Sequence, residues 1–145
     1  AVGTLQVQSI APAILAANGL GEGVASGYTY RSRNGISTAS VEVARLDNAQ
    51  NKYVPVPIQL GTEEETVTLV LRTTGMGSYG SLSNIEVKIG GEVVRVNEVS
   101  ISSITPRGRE NLSVQLPRSL RGRGEVAIEL RVGGKKANTV TVTIE

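Results

Sequence analysis

The sequence predicts an all-β domain, an antiparallel β-sandwich of about eight to ten short strands. Three observations carry that expectation. First, two apolar/polar alternating runs each meet a glycine pair: Ile85 to Ile89 before Gly90-Gly91, and Glu125 to Val132 before Gly133-Gly134. Period-two alternation running into Gly-Gly marks a hairpin, because glycine reaches the positive φ angles that tight turns need. Second, the chain has no Cys, His, Trp or Phe, and its aromatic share of 3% is four tyrosines, so Val, Ile, Leu and Ala must build the core. β-Branched residues fit a pleated, half-buried surface. Third, turn signals recur between short runs and no segment carries a helical period. A length of 145 residues is one domain, 1–145, with enough chain for a core.

Element by element, Leu5 to Ser9 alternates and reads as a first strand, broken by Pro12. Ala13 to Ala17 is apolar and short, a helical turn or a strand. Gly19, Gly21, Gly23 and Gly27 make a loop-rich stretch leading into a strand at Ser26–Arg31. Asn34-Gly35 is a turn. Thr38 to Leu46 alternates, with Ala39, Val41 and Val43 on one face, and Asp47 to Lys52 is a polar turn. Val54-Pro55-Val56-Pro57-Ile58 must be extended, and its prolines confine it to an edge or a connector. Thr66 to Thr73 is the strongest buried strand. Gly75 to Ser83 reads as a flexible loop carrying Tyr79. The hairpin Ile85–Val96 follows, then a strand Val99–Ile104, a basic turn Pro106–Glu110, and a strand Asn111–Leu116 ended by Pro117. An Arg-Gly loop over 118–124 leads to the last hairpin, Glu125–Val132 with Thr139–Ile144.

This composition argues against catalysis. Without His or Cys, imidazole and thiolate metal ligands are missing, and Asp47 is the only aspartate, which is poor for calcium. A Ser-His-Asp arrangement cannot form. The Gly19–Gly23 stretch lacks phosphate-loop spacing and a following helix. No cofactor and no enzymatic activity are expected. Nucleic acid is not an expected partner either: the arginines between 107 and 123 have no aromatic among them on which bases could stack. No apolar run approaches the roughly 20 residues of a membrane-spanning helix. The first residue is Ala1 rather than Met, as in a mature chain after signal-peptide removal, which predicts an extracellular or cell-surface location. A trimmed chain would look the same.

Several blocks resemble the Solibacter-type uncharacterised C-terminal domain, a β module at the ends of large secreted bacterial proteins. They are Ala11-Pro12-Ala13-Ile14-Leu15 with the Gly-rich stretch, Leu69 to Met76, Val87 to Gly91, Leu116 to Val126, and Asn138-Thr139-Val140. That family more often has an aromatic at the positions of Leu15 and Arg72, and Gly-Leu-Asp-Gln where this chain has Arg109-Glu110-Asn111. The resemblance implies an extracytoplasmic immunoglobulin-like sandwich and no catalytic residues.

Both ends are strand-like, and an exposed terminal strand can complete a neighbour's sheet. The expected function is therefore an extracellular structural subunit that self-assembles head to tail into a fibre, a homopolymer of copies of itself. Residues 1–10 would be the exchangeable strand, with Val2, Leu5, Val7 and Ile10 in the interface. The run Glu63, Glu64 and Glu65 and the basic set Arg107, Arg109, Arg118, Arg121 and Arg123 read either as solvated loops or as complementary patches between copies. The alternative function is a monomeric adhesion or carbohydrate-binding module, with cell-surface polysaccharide as partner and Tyr28, Tyr30 and Tyr79 as contacts. Tyr28 and Tyr30 share a strand face at i, i+2 and also suit simple strand packing.

Overall fold

The structure, a computed structural model, describes residues 11–76, 81–100 and 109–145. Among them, thirteen strands run in the order β1 (Ala13–Ile14), β2 (Gly27–Arg33), β3 (Ile36–Ser37), β4 (Val41–Glu42), β5 (Ala44–Asp47), β6 (Lys52–Pro55), β7 (Thr66–Thr74), β8 (Ile85–Ile89), β9 (Glu92–Ser100), β10 (Arg109–Leu116), β11 (Gly124–Val132), β12 (Lys135–Lys136) and β13 (Val140–Ile144). Four of these, β1, β3, β4 and β12, are two-residue pieces, which leaves nine of ordinary length. Two short 3-10 turns, Leu82–Asn84 and Arg118–Leu120, are the only helical elements among the described residues.

The hydrogen-bonded path β12-β11-β8-β9-β10-β7-β2-β3 folds over on itself at β9. The first residues of β9 pair with β8 through Val87↔Val94. Its later residues pair with β10 through Val114↔Val96 and Leu112↔Val99. Between them the register slips, because Ser113 faces Glu98 while Val114 faces Val96, leaving Asn97 as an extra residue. Such a bulge bends a strand, and here it carries one strand from one sheet to the other. The sequence predicts a break there and a new strand from Val99; instead β9 runs unbroken to Ser100, and residues 101–104 lie outside the described ones.

Two faces thus close on one core. Leu69 and Leu71 of β7 and Leu112, Val114 and Leu116 of β10 come from one sheet; Val87 and Ile89 of β8, Val126, Ile128, Leu130 and Val132 of β11 and Val140, Val142 and Ile144 of β13 come from the other. The alternation read in the sequence is the burial pattern: in β11 and β13 every second residue is buried. The turn between β8 and β9 is Gly90-Gly91, both at positive φ as the sequence requires. β7 is the exception to alternation, with Val67 to Leu71 all buried, and it lies between β10 and β2, paired with both along that stretch. With β1-β7-β10-β9 in one sheet and β8-β11-β13 in the other, the pairing follows the ABED and CFG order of an immunoglobulin-like sandwich.

Residues between β1 and β7 are added to that frame. After β1 the chain crosses to the second sheet, where Val24 bridges Thr141 in parallel. It then returns as β2, antiparallel to β7 from Gly27↔Leu71 to Ser32↔Thr66. The predicted strand Thr38–Leu46 is broken: β4 pairs with β2, the chain bends at the buried Val43, and β5 leaves to pair with β6 alone. Of its supposed common face, Val43 is buried whereas Ala39 and Val41 are exposed. The proline-rich stretch is edge and connector, as expected, since β6 ends at Pro55 and Ile58 then bridges Ile144 of β13.

Candidate functional site

Tyr28 and Tyr30 stand on the outer face of the first sheet, opposite Val70 and Thr68 of β7. Both are half-buried. Arg72, two residues from Val70 along β7, lays its guanidinium 5.5 Å from the Tyr28 ring centre. The same guanidinium donates two hydrogen bonds to Glu42, at 3.0 and 2.9 Å, and one to the Ser26 hydroxyl at 3.1 Å. The paired Glu42 carboxylate raises the Arg72 pKa further above its ordinary value. A fork held on both arms and stacked on an aromatic ring is a rigid wall. Sequence reading selects Tyr28 but not Arg72 or Glu42, which lie 30 residues apart and meet only because β2 sits between β4 and β7.

Beside this wall a cleft of about 380 Å³ opens between β2, β4 and the connector after β6, lined among others by Tyr30, Arg31, Val41, Glu42, Pro57 and Gln59. Its size is that of a small-molecule site. Arg31 also borders two further depressions. Its Nε pairs with Glu65 at 3.2 Å. Tyr79, the third candidate contact, lies outside the described residues.

The charged segments, read either as solvated loops or as patches between copies, meet each other within one chain. Glu64 pairs with Arg33 and Glu65 with Arg31. The Thr62 N–H donates to Glu65 at 2.9 Å and, with Arg31 beside it, holds that carboxyl below the usual glutamate range. Arg118 donates to the carbonyls of Leu60, Gly61, Thr62 and Glu65, and Arg121 donates to that of Gly61. Arg123 pairs with Glu92 at 2.6 Å. Glu63 and Arg109 are exposed. Val2, Leu5, Val7, Ile10 and Arg107 lie outside the described residues.

Where the described chain starts, β1 is held from two directions. Ala11 N–H bonds to the Gly75 carbonyl and Leu15 N–H to that of Arg72, both at 2.8 Å. A side chain at Gly75 would collide with the Ala11 carbonyl, so this junction requires glycine. From the second sheet, Asn138 accepts from Ile14 N–H at 2.8 Å and donates to the carbonyls of Ile14 and Gly21. Nearby, burial pushes the Glu110 carboxyl above its ordinary value, and its Oε1 has no hydrogen-bond partner among the described residues.

One element stands apart from the sandwich. β5 and β6 form a two-stranded sheet of their own, paired Ala44↔Pro55, Arg45↔Val54, Leu46↔Tyr53 and Asp47↔Lys52. Alternation places Ala44, Leu46, Tyr53 and Pro55 on one face. Leu46 is 44% and Tyr53 42% exposed.

Among the described residues no group of three or more Asp or Glu is placed to hold a metal ion, and no helix is long and apolar enough to cross a membrane. Comparison with protein-family models, with curated proteins and with solved structures finds no match.

Proposed function

We propose that this chain is an extracellular structural subunit whose copies join head to tail by β-strand complementation. The observation that carries the reading is where the first described strand meets the end of its sheet. β7 ends at Thr74, and Ala11 is bonded to Gly75, one residue beyond. β1 itself is only two residues long, and its described ladder with β7 is short. Yet Thr4-Leu5-Gln6-Val7-Gln8 alternates as a strand does, and Leu5 and Val7 need an apolar surface. A second copy can supply that surface together with an open strand edge, which gives main-chain hydrogen bonds and alternating side-chain contacts. Such a contact is heterologous and, unless it closes into a ring, propagates as a filament. Val2, Leu5, Val7 and Ile10 are the side chains it would bury. The resemblance to a secreted β module supports the location.

The test is negative-stain electron microscopy of the full chain beside a variant lacking residues 1–10, with circular dichroism to check that the variant keeps its β structure. The expected result is uniform fibres that vanish on deletion. Monomers in both samples would overturn the reading and make the cleft beside Tyr30, as a carbohydrate-contact site, the feature to pursue.

A further inference from the structure

We propose that the β5–β6 hairpin is the acceptor for the exchanged strand, taking residues 4–8 of a second copy along the outer edge of β5. The inference rests on the assembly reading above and adds the partner surface it requires.

An isolated two-stranded hairpin is marginal in water, and a third strand over an apolar face is what gives such a sheet independent stability. The hairpin has the defects a third strand would repair. Among the described residues, neither β5 nor β6 bonds to any other strand. Its apolar face, Leu46 beside Tyr53, lies open to water. Among the described residues the other edges are guarded. β9 carries the Asn97 bulge and the exposed charges Arg95 and Glu98. β13 is covered by residues 23–25 and by Ile58. The free side of β2 is capped by β3, β4 and Thr38. Bulges, charges and covering segments are how sheets block edge pairing; among the described residues β5 carries the charges Arg45 and Asp47 but neither a bulge nor a covering segment. Of the hairpin's two edges, that of β5 contains no proline, whereas β6 ends in Pro55, which has no N–H to donate.

The donor fits by pattern and by reach. On a strand over 4–8, Leu5 and Val7 project to one face, matching the two apolar side chains waiting on the hairpin. Residues 1–10 carry no charged side chain, so they meet Arg45 and Asp47 of β5 without a like-charge clash. Ten extended residues span about 33 Å. A domain of this length has a radius of gyration of about 15 Å. The segment can therefore cross to a neighbour.

The absence of cysteine makes a clean test. Full-length Leu5→Cys and Tyr53→Cys chains are mixed and treated with a short bis-maleimide, which tolerates a slip in register. Val93→Cys, exposed on β9, replaces Tyr53→Cys as the control acceptor. A Leu5→Cys/Tyr53→Cys double variant reports linkage within one chain, and Leu46→Lys is examined by electron microscopy. The expected result is a cross-linked heterodimer at least tenfold more abundant with Tyr53→Cys than with Val93→Cys, and loss of fibres in Leu46→Lys with an unchanged melting temperature. Fibres that persist in Leu46→Lys, with no preferential cross-link, would overturn the acceptor assignment and leave the assembly reading standing. Linkage confined to the double variant would place the segment on its own hairpin and overturn exchange. Absence of both fibres and cross-links would overturn both.

Discussion

Asn138 shows how one side chain can replace a missing stretch of ladder. Its amide gives and receives one hydrogen bond each with Ile14, the exchange that two paired strand residues make, and its second N–H holds the Gly21 carbonyl. The fastening joins the first described strand, the Gly-rich loop and the approach to β13 across more than a hundred residues of sequence. Ile14 is 1% exposed, so removing the amide leaves its N–H without water or partner. Asn138→Ala should destabilise the fold by about 1–3 kcal/mol, the cost of an orphaned buried group plus lost bonds. A lower urea midpoint, with faster amide exchange at Ile14 and Ser26 than in β11, is the expected signature. An unchanged midpoint would mean that β1 is held by its bonds to β7 alone.

Elements were legible in the sequence where a local signal sufficed. The Gly-Gly hairpins, the buried run at Thr66–Thr73 and the connector role of the prolines all follow from short-range chemistry, and the structure has them. Alternation failed where a strand changes partner without changing pattern. Nothing local distinguishes Val43, where the chain turns from β2 toward β6, from a residue inside one continuous strand. Nor does anything local mark Asn97 as a bulge that carries β9 between sheets. The candidate site was legible to the same depth: the shared face of Tyr28 and Tyr30 is an i, i+2 relation, whereas the Arg72–Glu42 pair and the exposed Leu46–Tyr53 pair depend on pairing that only the fold decides. The arginine-rich segment is the clearest case. Read as solvated or as an interface patch, it places Arg118 in a ring of four carbonyls that fixes the 60–65 loop. Loss of this charged donor in Arg118→Ala should cost about 1.5–3 kcal/mol. Lysine should recover less than half of that, because a compact ammonium on a flexible stem cannot spread planar donors over four acceptors. Equal stability of Arg118→Lys and the native chain in chemical denaturation would show that only the charge matters.

At the scale of the whole molecule, the proposed assembly admits two joints: charge against charge, or strand beside strand. The first draws on groups that already have partners within one chain. Glu64 and Glu65 face Arg33 and Arg31, Arg123 faces Glu92, and Arg118 and Arg121 are turned onto the backbone of the acidic loop itself. Glu63 and Arg109 are exposed, Glu64 and its partner Arg33 stay more than half exposed, and the net charge is +2. Exposed ion pairs contribute about 0–1 kcal/mol each, and at 1 M salt screening acts within about 3 Å. A joint made of main-chain hydrogen bonds and of Leu5 and Val7 against the hairpin face has little to lose under that screening. Fibres formed at low ionic strength should therefore sediment to the same extent after transfer to 1 M sodium chloride, and fibre length in micrographs should not shorten. Dissolution in salt would return the acidic loop and the arginines between 107 and 123 to the interface and displace the strand. Persistence in salt combined with loss on deleting residues 1–10 would leave strand exchange as the joint, since that pair of results separates an apolar, backbone-bonded contact from an electrostatic one.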